Sequence, residues 1–100
     1  MSKSRYEEIG ESMGVERSQM FGKPCLKSNG KAFAAYFEDC MVFKLGREHQ
    51  EELLKEYPGA SNFDPSGKGR PMKDWFQIPA KYSGSWPTLA EEAKSKLEHR

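Results

Sequence analysis

The sequence predicts an α+β domain: a two-layer, five-stranded antiparallel sheet with helices packed on it, in the order α-β-β-β-α-β-β-α. Three observations carry this expectation. Asn29-Gly30 sits between two apolar runs, and because a type I′ turn needs positive φ at both central residues, the pair marks a hairpin. Stretches near both ends repeat apolar residues at helical spacing, so each has a stripe to bury. The strand-like segments are joined by turns too short for a parallel crossover, which makes the pairing antiparallel.

Taken in order, Ser4-Arg5-Tyr6-Glu7 has the spacing of a capping box, and Tyr6, Ile9 and Met13 follow at i, i+3 and i+7. Residues 5–13 therefore read as a short amphipathic helix, weakened by Gly10 and ended by Gly14. Strand signals begin at about Ser18. A two-residue turn at Asn29-Gly30 pairs Ser28 with Lys31 and Leu26 with Phe33, placing both large apolar residues on one face.

The next turn, around Glu38-Asp39, admits two registers. An even loop pairs Tyr36 with Met41 and Ala34 with Phe43, leaving apolar groups on both faces of the sheet. A three-residue loop pairs Phe37 with Met41 and Phe33 with Leu45, collecting the large side chains on one face. A one-residue slip inverts a whole strand, so the choice decides whether a second apolar face exists for a partner or ligand to cover.

Arg47 to Glu56 reads as a helix with Leu53, Leu54 and Tyr57 on its apolar side, stopped by Pro58-Gly59. Ser61 to Phe63 reads as a short strand. Asp64 to Gly69, with one proline and two glycines in six residues, marks a loop. Lys73 to Ile78 alternates well enough for a last strand. The final helix lines up Trp86, Ala90, Ala93 and Leu97, with Leu89 broadening the stripe and Thr88-Leu89-Ala90-Glu91 as a second capping box.

Length and composition set bounds. One hundred residues make a single domain, 1–100, with a small core. Charged residues make up 31% of the chain and the mean hydropathy is −0.87, but 12 aromatic residues argue against disorder. A net charge of +1 gives no global attraction to nucleic acid or anionic membrane, so any basic patch is local. No apolar run approaches the roughly 20 residues that span a bilayer. The N-terminus has no apolar core of a secretory signal, which points to the cytoplasm. Cys25 and Cys40, fifteen apart without a second pair, fit reduced thiols rather than a CxxC or zinc motif.

Met20-Phe21-Gly22, Gly30-Lys31-Ala32-Phe33-Ala34, Met41-Val42-Phe43-Lys44-Leu45 and Gly69-Arg70-Pro71-Met72-Lys73-Asp74-Trp75 follow one another in an order that resembles the TfoX N-terminal domain family and its relatives of the MmcQ/YjbR type. The similarity runs over roughly residues 18–97. It implies a five-stranded α+β domain and a non-enzymatic regulatory or adaptor role through macromolecular binding. Full-length TfoX proteins regulate natural competence, together with a cyclic-AMP-responsive transcription activator. The resemblance carries no catalytic residues and no cofactor.

Candidate sites follow from local chemistry. Lys68, Arg70 and Lys73 concentrate positive charge beside Gly67 and Gly69, where backbone N–H groups and a guanidinium suit an anion or nucleic-acid phosphate. The run is not a P-loop, since Gly69 stands where Ser or Thr belongs. The alternative is a solvated hairpin with Trp75 in the core. Tyr36, Trp75 and Phe76 are candidates for an interaction surface, through stacking or apolar contact. His49 and His99 have no convergent partners at suitable spacing, so no metal site is expected. Neighbouring carboxylates such as Glu51-Glu52 diverge on a helix and read as solvated faces. The expected partner is a protein or a second copy of the chain. Nucleic acid is the alternative, and an enzyme or small-ligand protein is the third reading.

Overall fold

In the computed structural model, residues 2–20, 22–64, 69 and 71–98 are described. They form three α-helices and one antiparallel sheet, as the sequence predicts, but the sheet has six strands and not five. In chain order these are α1 (Ser2–Met13), β1 (Glu16–Met20), β2 (Lys23–Ser28), β3 (Lys31–Phe37), β4 (Cys40–Lys44), α2 (Gln50–Glu56), β5 (Ser61–Phe63), β6 (Met72–Pro79) and α3 (Trp86–Glu98). Short 3-10 segments, Arg47–His49 and Ala80–Ser85, lead into α2 and α3. The sheet order is β1-β2-β3-β4-β6-β5.

The additional strand arises because the segment expected to run on from Ser18 folds back on itself. Met20 pairs with Lys23, and Gly22 takes φ 73°, where glycine escapes the Cβ penalty. Residues 16–20 thus form an edge strand of their own. The capping expectations also shift. α1 starts at Ser2 and α3 at Trp86, so Ser4 and Thr88 lie inside their helices rather than at the caps.

The hairpin at Asn29-Gly30 has the expected turn, with φ of 53° and 78° and Ser28 opposite Lys31. Two residues further on, the register departs from expectation. Lys27 faces Ala32, whereas Leu26 faces Ala34 and not Phe33, which is the extra residue of a β-bulge. Phe33 and Ala34 both pack into the helix-side core, and the alternation along β3 is inverted beyond them. Tyr36 thereby joins the face of Leu26, while Ala35 and Phe37 turn to the other.

At the next turn the even register holds: Ala34 faces Phe43, Tyr36 faces Met41 and Phe37 faces Cys40. With the bulge in place, this register gathers Leu26, Phe33, Met41, Phe43, Phe76 and Ile78 on one face. α1 sets Tyr6 and Ile9 against that face, α2 sets Leu53, and α3 sets Trp86, Leu89, Ala90 and Ala93. Helices and large strand residues thus share one core, which excludes water from most of the apolar surface of the chain.

Candidate functional site

The other sheet face holds a second, smaller cluster made by strands alone. Cys25, Ala35, Val42 and Phe63 are fully buried there and Trp75 is 6% exposed. Among the described residues, no helix contributes to it. Phe37 of β3 and Phe63 of β5 meet edge to face at 5.3 Å, across the two intervening strands β4 and β6.

Several charged strand residues lie on this face, while Arg17, opposite Leu26, turns to the helix side. The Lys23 ammonium lies 4.9 Å from the centre of the Phe37 ring, a cation–π contact that fixes it over the cluster. Alternation along β2 puts Lys27 on the same side as Cys25, and Glu16 of β1 faces Lys27 in the register. Lys44 is paired with Trp75, two residues on from Val42. Lys73, two residues before Trp75, is exposed.

Local hydrogen bonds hold the β5–β6 corner. Between Asn62 and Phe63 the register shifts, and the Asn62 amide donates to the carbonyls of Lys73 (3.2 Å) and Trp75 (3.3 Å), replacing ladder bonds lost there. The Gly69 N–H donates to the Asp64 carboxylate at 3.0 Å, tying together the two ends of the loop.

The residues singled out in the sequence are not brought together as one site. Lys68 and Arg70 lie outside the described residues, as does His99. Lys73 is on the surface as expected. Trp75 and Phe76, candidates for an interaction surface, are 6% and 0% exposed; Phe76 points into the helix-side core and Trp75 into the strand-only cluster. Neither presents a face for stacking. Tyr36 is half-buried on the helix side, its ring 5.6 Å from that of Tyr6 and its hydroxyl donating to Asp39 at 3.1 Å. Sequence reasoning passed over Lys23, Lys27 and Lys44. The signal was the spacing Lys23-x-Cys25-x-Lys27, which reads as one face once β2 is known to begin at Lys23.

A shallow cleft of about 410 Å³ opens beside Lys44–Gly46, between Glu48, Asp74 and the last turns of α3 at Ser95 and Lys96. The Arg47 guanidinium donates to the Asp74 carboxylate at 3.1 Å, and this hydrogen bond holds the Asp74 carboxyl below the usual range. The Asp74 main-chain carbonyl accepts from the N–H groups of Leu45 (3.0 Å) and Gly46 (3.1 Å). Asp74 is thus occupied in holding β4 to β6 rather than poised for proton transfer. Burial pushes both thiols up, so thiolate chemistry is disfavoured at Cys25 and Cys40. Among the described residues, no group of three or more His, Cys, Asp or Glu side chains is placed to hold a metal ion. No helix of the described chain is long and apolar enough to cross a membrane.

Comparison with protein-family models, with curated proteins and with solved structures finds no match.

Proposed function

We propose that this chain is a non-enzymatic regulatory or adaptor domain, of the kind implied by its resemblance to the TfoX N-terminal family, and that it works by binding another macromolecule. The observation that carries this reading is the asymmetry of the sheet. One face is covered by all three helices, and the other is a strand-built surface framed by Lys23, Lys27 and Lys44. A broad, shallow, charged face suits a macromolecule better than a metabolite, which is normally enclosed on most sides.

The test is affinity capture from the native host with the wild-type chain and a Lys23→Glu/Lys27→Glu variant. Any captured macromolecule is then purified and its binding measured by calorimetry. A saturable complex that the variant loses supports the proposal. A complex that the variant retains in full, or no complex with any macromolecule, overturns it.

A further inference from the structure

We propose that this chain pairs with a second copy of itself through β1, the two sheets joining edge to edge across a two-fold axis at Ser18. The surface involved is the edge of the sheet, apart from the face proposed above.

β1 is an open edge. It ends the strand order, and among the described residues it pairs with β2 alone. Glu16, Arg17 and Gln19 are exposed and Ser18 is half-buried. α1 comes down on the sheet at Leu26 of β2, one strand inside this edge. Sheet edges are commonly blunted by bulges or by very short strands. β5, at the other end, has both devices: three residues, and a register shift between Asn62 and Phe63. β1 has neither, since its five residues pair with β2 in unbroken register.

Turn geometry identifies the free main-chain groups. Met20 faces Lys23 across a two-residue turn, and the residues flanking such a turn form a hydrogen-bonded pair. Pair types alternate along an antiparallel ladder, so Ser18 with Cys25 and Glu16 with Lys27 are hydrogen-bonded pairs too. Arg17 and Gln19 stand between them, and their N–H and C=O groups point away from β2. Pro24, opposite Gln19, fits this assignment, because it has no N–H to give to β1.

Charge then selects the register. A two-fold axis normal to the sheet makes one residue face its own copy. Centring on Glu16 or Arg17 sets like charges opposite each other, which is unfavourable. Centring on Gln19 or Met20 carries Arg17 beyond the end of the second strand. Centring on Ser18 avoids both faults. Arg17 of each copy then faces Gln19 of the other, and the outward N–H and C=O groups of both residues are matched. Glu16 faces Met20 of the second copy, whose neighbour on β2 is Lys23. The row across the joint therefore runs Lys27, Glu16, Met20, Lys23, with the acid between two cations. The edge is complementary to itself, which commits it to a second copy rather than to a foreign strand.

The experiment is sedimentation equilibrium of the intact chain between about 10 μM and 1 mM. Monomer gives way to dimer as concentration rises, as suits an interface of small area. Gln19→Glu sets a carboxylate opposite Arg17 in both halves of the joint and tightens the dimer about fivefold at low salt, a gain that fades at high salt. Gln19→Lys sets like charges there and loosens it. Gln19→Pro removes only an outward N–H, so it abolishes the dimer while the melting temperature of the dilute monomer holds. If Gln19→Pro fails to fold, Gln19→Glu against Gln19→Lys decides alone.

A chain that stays monomeric throughout the range, or a dimer equally strong in Gln19→Glu and Gln19→Lys, overturns the inference. A dimer lost with Lys23→Glu/Lys27→Glu and indifferent to the Gln19 variants puts self-association on the strand-built face and overturns it as well. So does a monomeric chain whose edge takes up a strand of another protein, seen as a captured complex that Gln19→Pro loses. Failure at the β1 edge leaves the reading of the strand-built face standing.

Discussion

Gly10 of α1 rests directly on Leu26 of β2: a Cβ at position 10 would stand 2.8 Å from Leu26 Cδ2. In the sequence Gly10 looked like a weakness in a helix. In the structure it is the point at which the helix reaches the sheet. Leu26 is fully buried, so its methyl group has little room to retreat.

Two effects of Gly10→Ala oppose each other. Alanine in a helix interior gains about 1 kcal/mol over glycine, while overpacking a core costs about 1–3 kcal/mol. Packing prevails, so Gly10→Ala lowers the chemical-denaturation midpoint, and Gly10→Ala/Leu26→Val recovers part of the loss. A rise in stability for Gly10→Ala alone would show that α1 can lift off β2.

The β3–β4 turn holds two non-glycine residues in the left-handed region, Glu38 at φ 46° and Asp39 at φ 64°. Each left-handed residue that is not glycine costs roughly 1–2 kcal/mol, less for Asp and Asn, whose short side chains bond locally. Glu38 has no such remedy in type, so Glu38→Asn stabilises the fold by about 0.5–1 kcal/mol. Thermal unfolding reads this directly. Asp39→Gly gains less, because it gives up the bond from the Tyr36 hydroxyl.

This turn also shows where the sequence stopped being legible. Asn29-Gly30 announces its geometry through residue types made for it, and the structure agrees there to the residue. Glu38-Asp39 adopts the same positive φ values against local preference, so only the packing of Tyr36, Met41 and Phe43 selects its register. The bulge at Phe33 was hidden for a related reason. Alternation is a local signal, whereas the benefit of shifting it comes from joining Leu26, Phe33 and Tyr36 to helices distant in sequence. β1 was missed because Glu16 to Gln19 are polar and exposed or half-buried, an edge with no apolar period to detect. The helix stripes, by contrast, were plain, since burying Trp86, Ala90 and Ala93 demands the spacing that reveals them.

Tyr6 is 3% exposed, and its hydroxyl is buried with no hydrogen-bond partner among the described residues. An unpaired buried hydroxyl pays a desolvation cost of about 1–3 kcal/mol, so Tyr6→Phe is neutral or stabilising by about 1 kcal/mol at neutral pH. Burial also pushes the phenol well above its ordinary value, and the sign of the pH effect follows. The unfolded chain releases the proton above about pH 10 while the folded chain retains it, so stability is intact below that pH and falls above it. The melting temperature of the wild type therefore drops between about pH 10 and 11, and Tyr6→Phe drops less. An identical alkaline profile in both proteins would refute the assignment to Tyr6.

The two thiols differ in access, and that difference checks the strand-built cluster as a closed core. Cys25 is fully buried, and Cys40 is half-buried with the Gln77 amide at 3.6 Å from its sulfur. Burial raises both above the ordinary thiol value, so little thiolate is present at neutral pH. A disulfide-exchange reagent labels Cys40 slowly, and Cys25 only through unfolding, at a rate that denaturant accelerates. Phe37→Ala removes a ring packed on the cluster and its edge contact with Phe63, and speeds labelling of Cys25 more than global destabilisation explains. Rapid labelling of Cys25 in the native wild type would mean that this face opens freely, and the lysines above it would then frame a cavity instead of a surface.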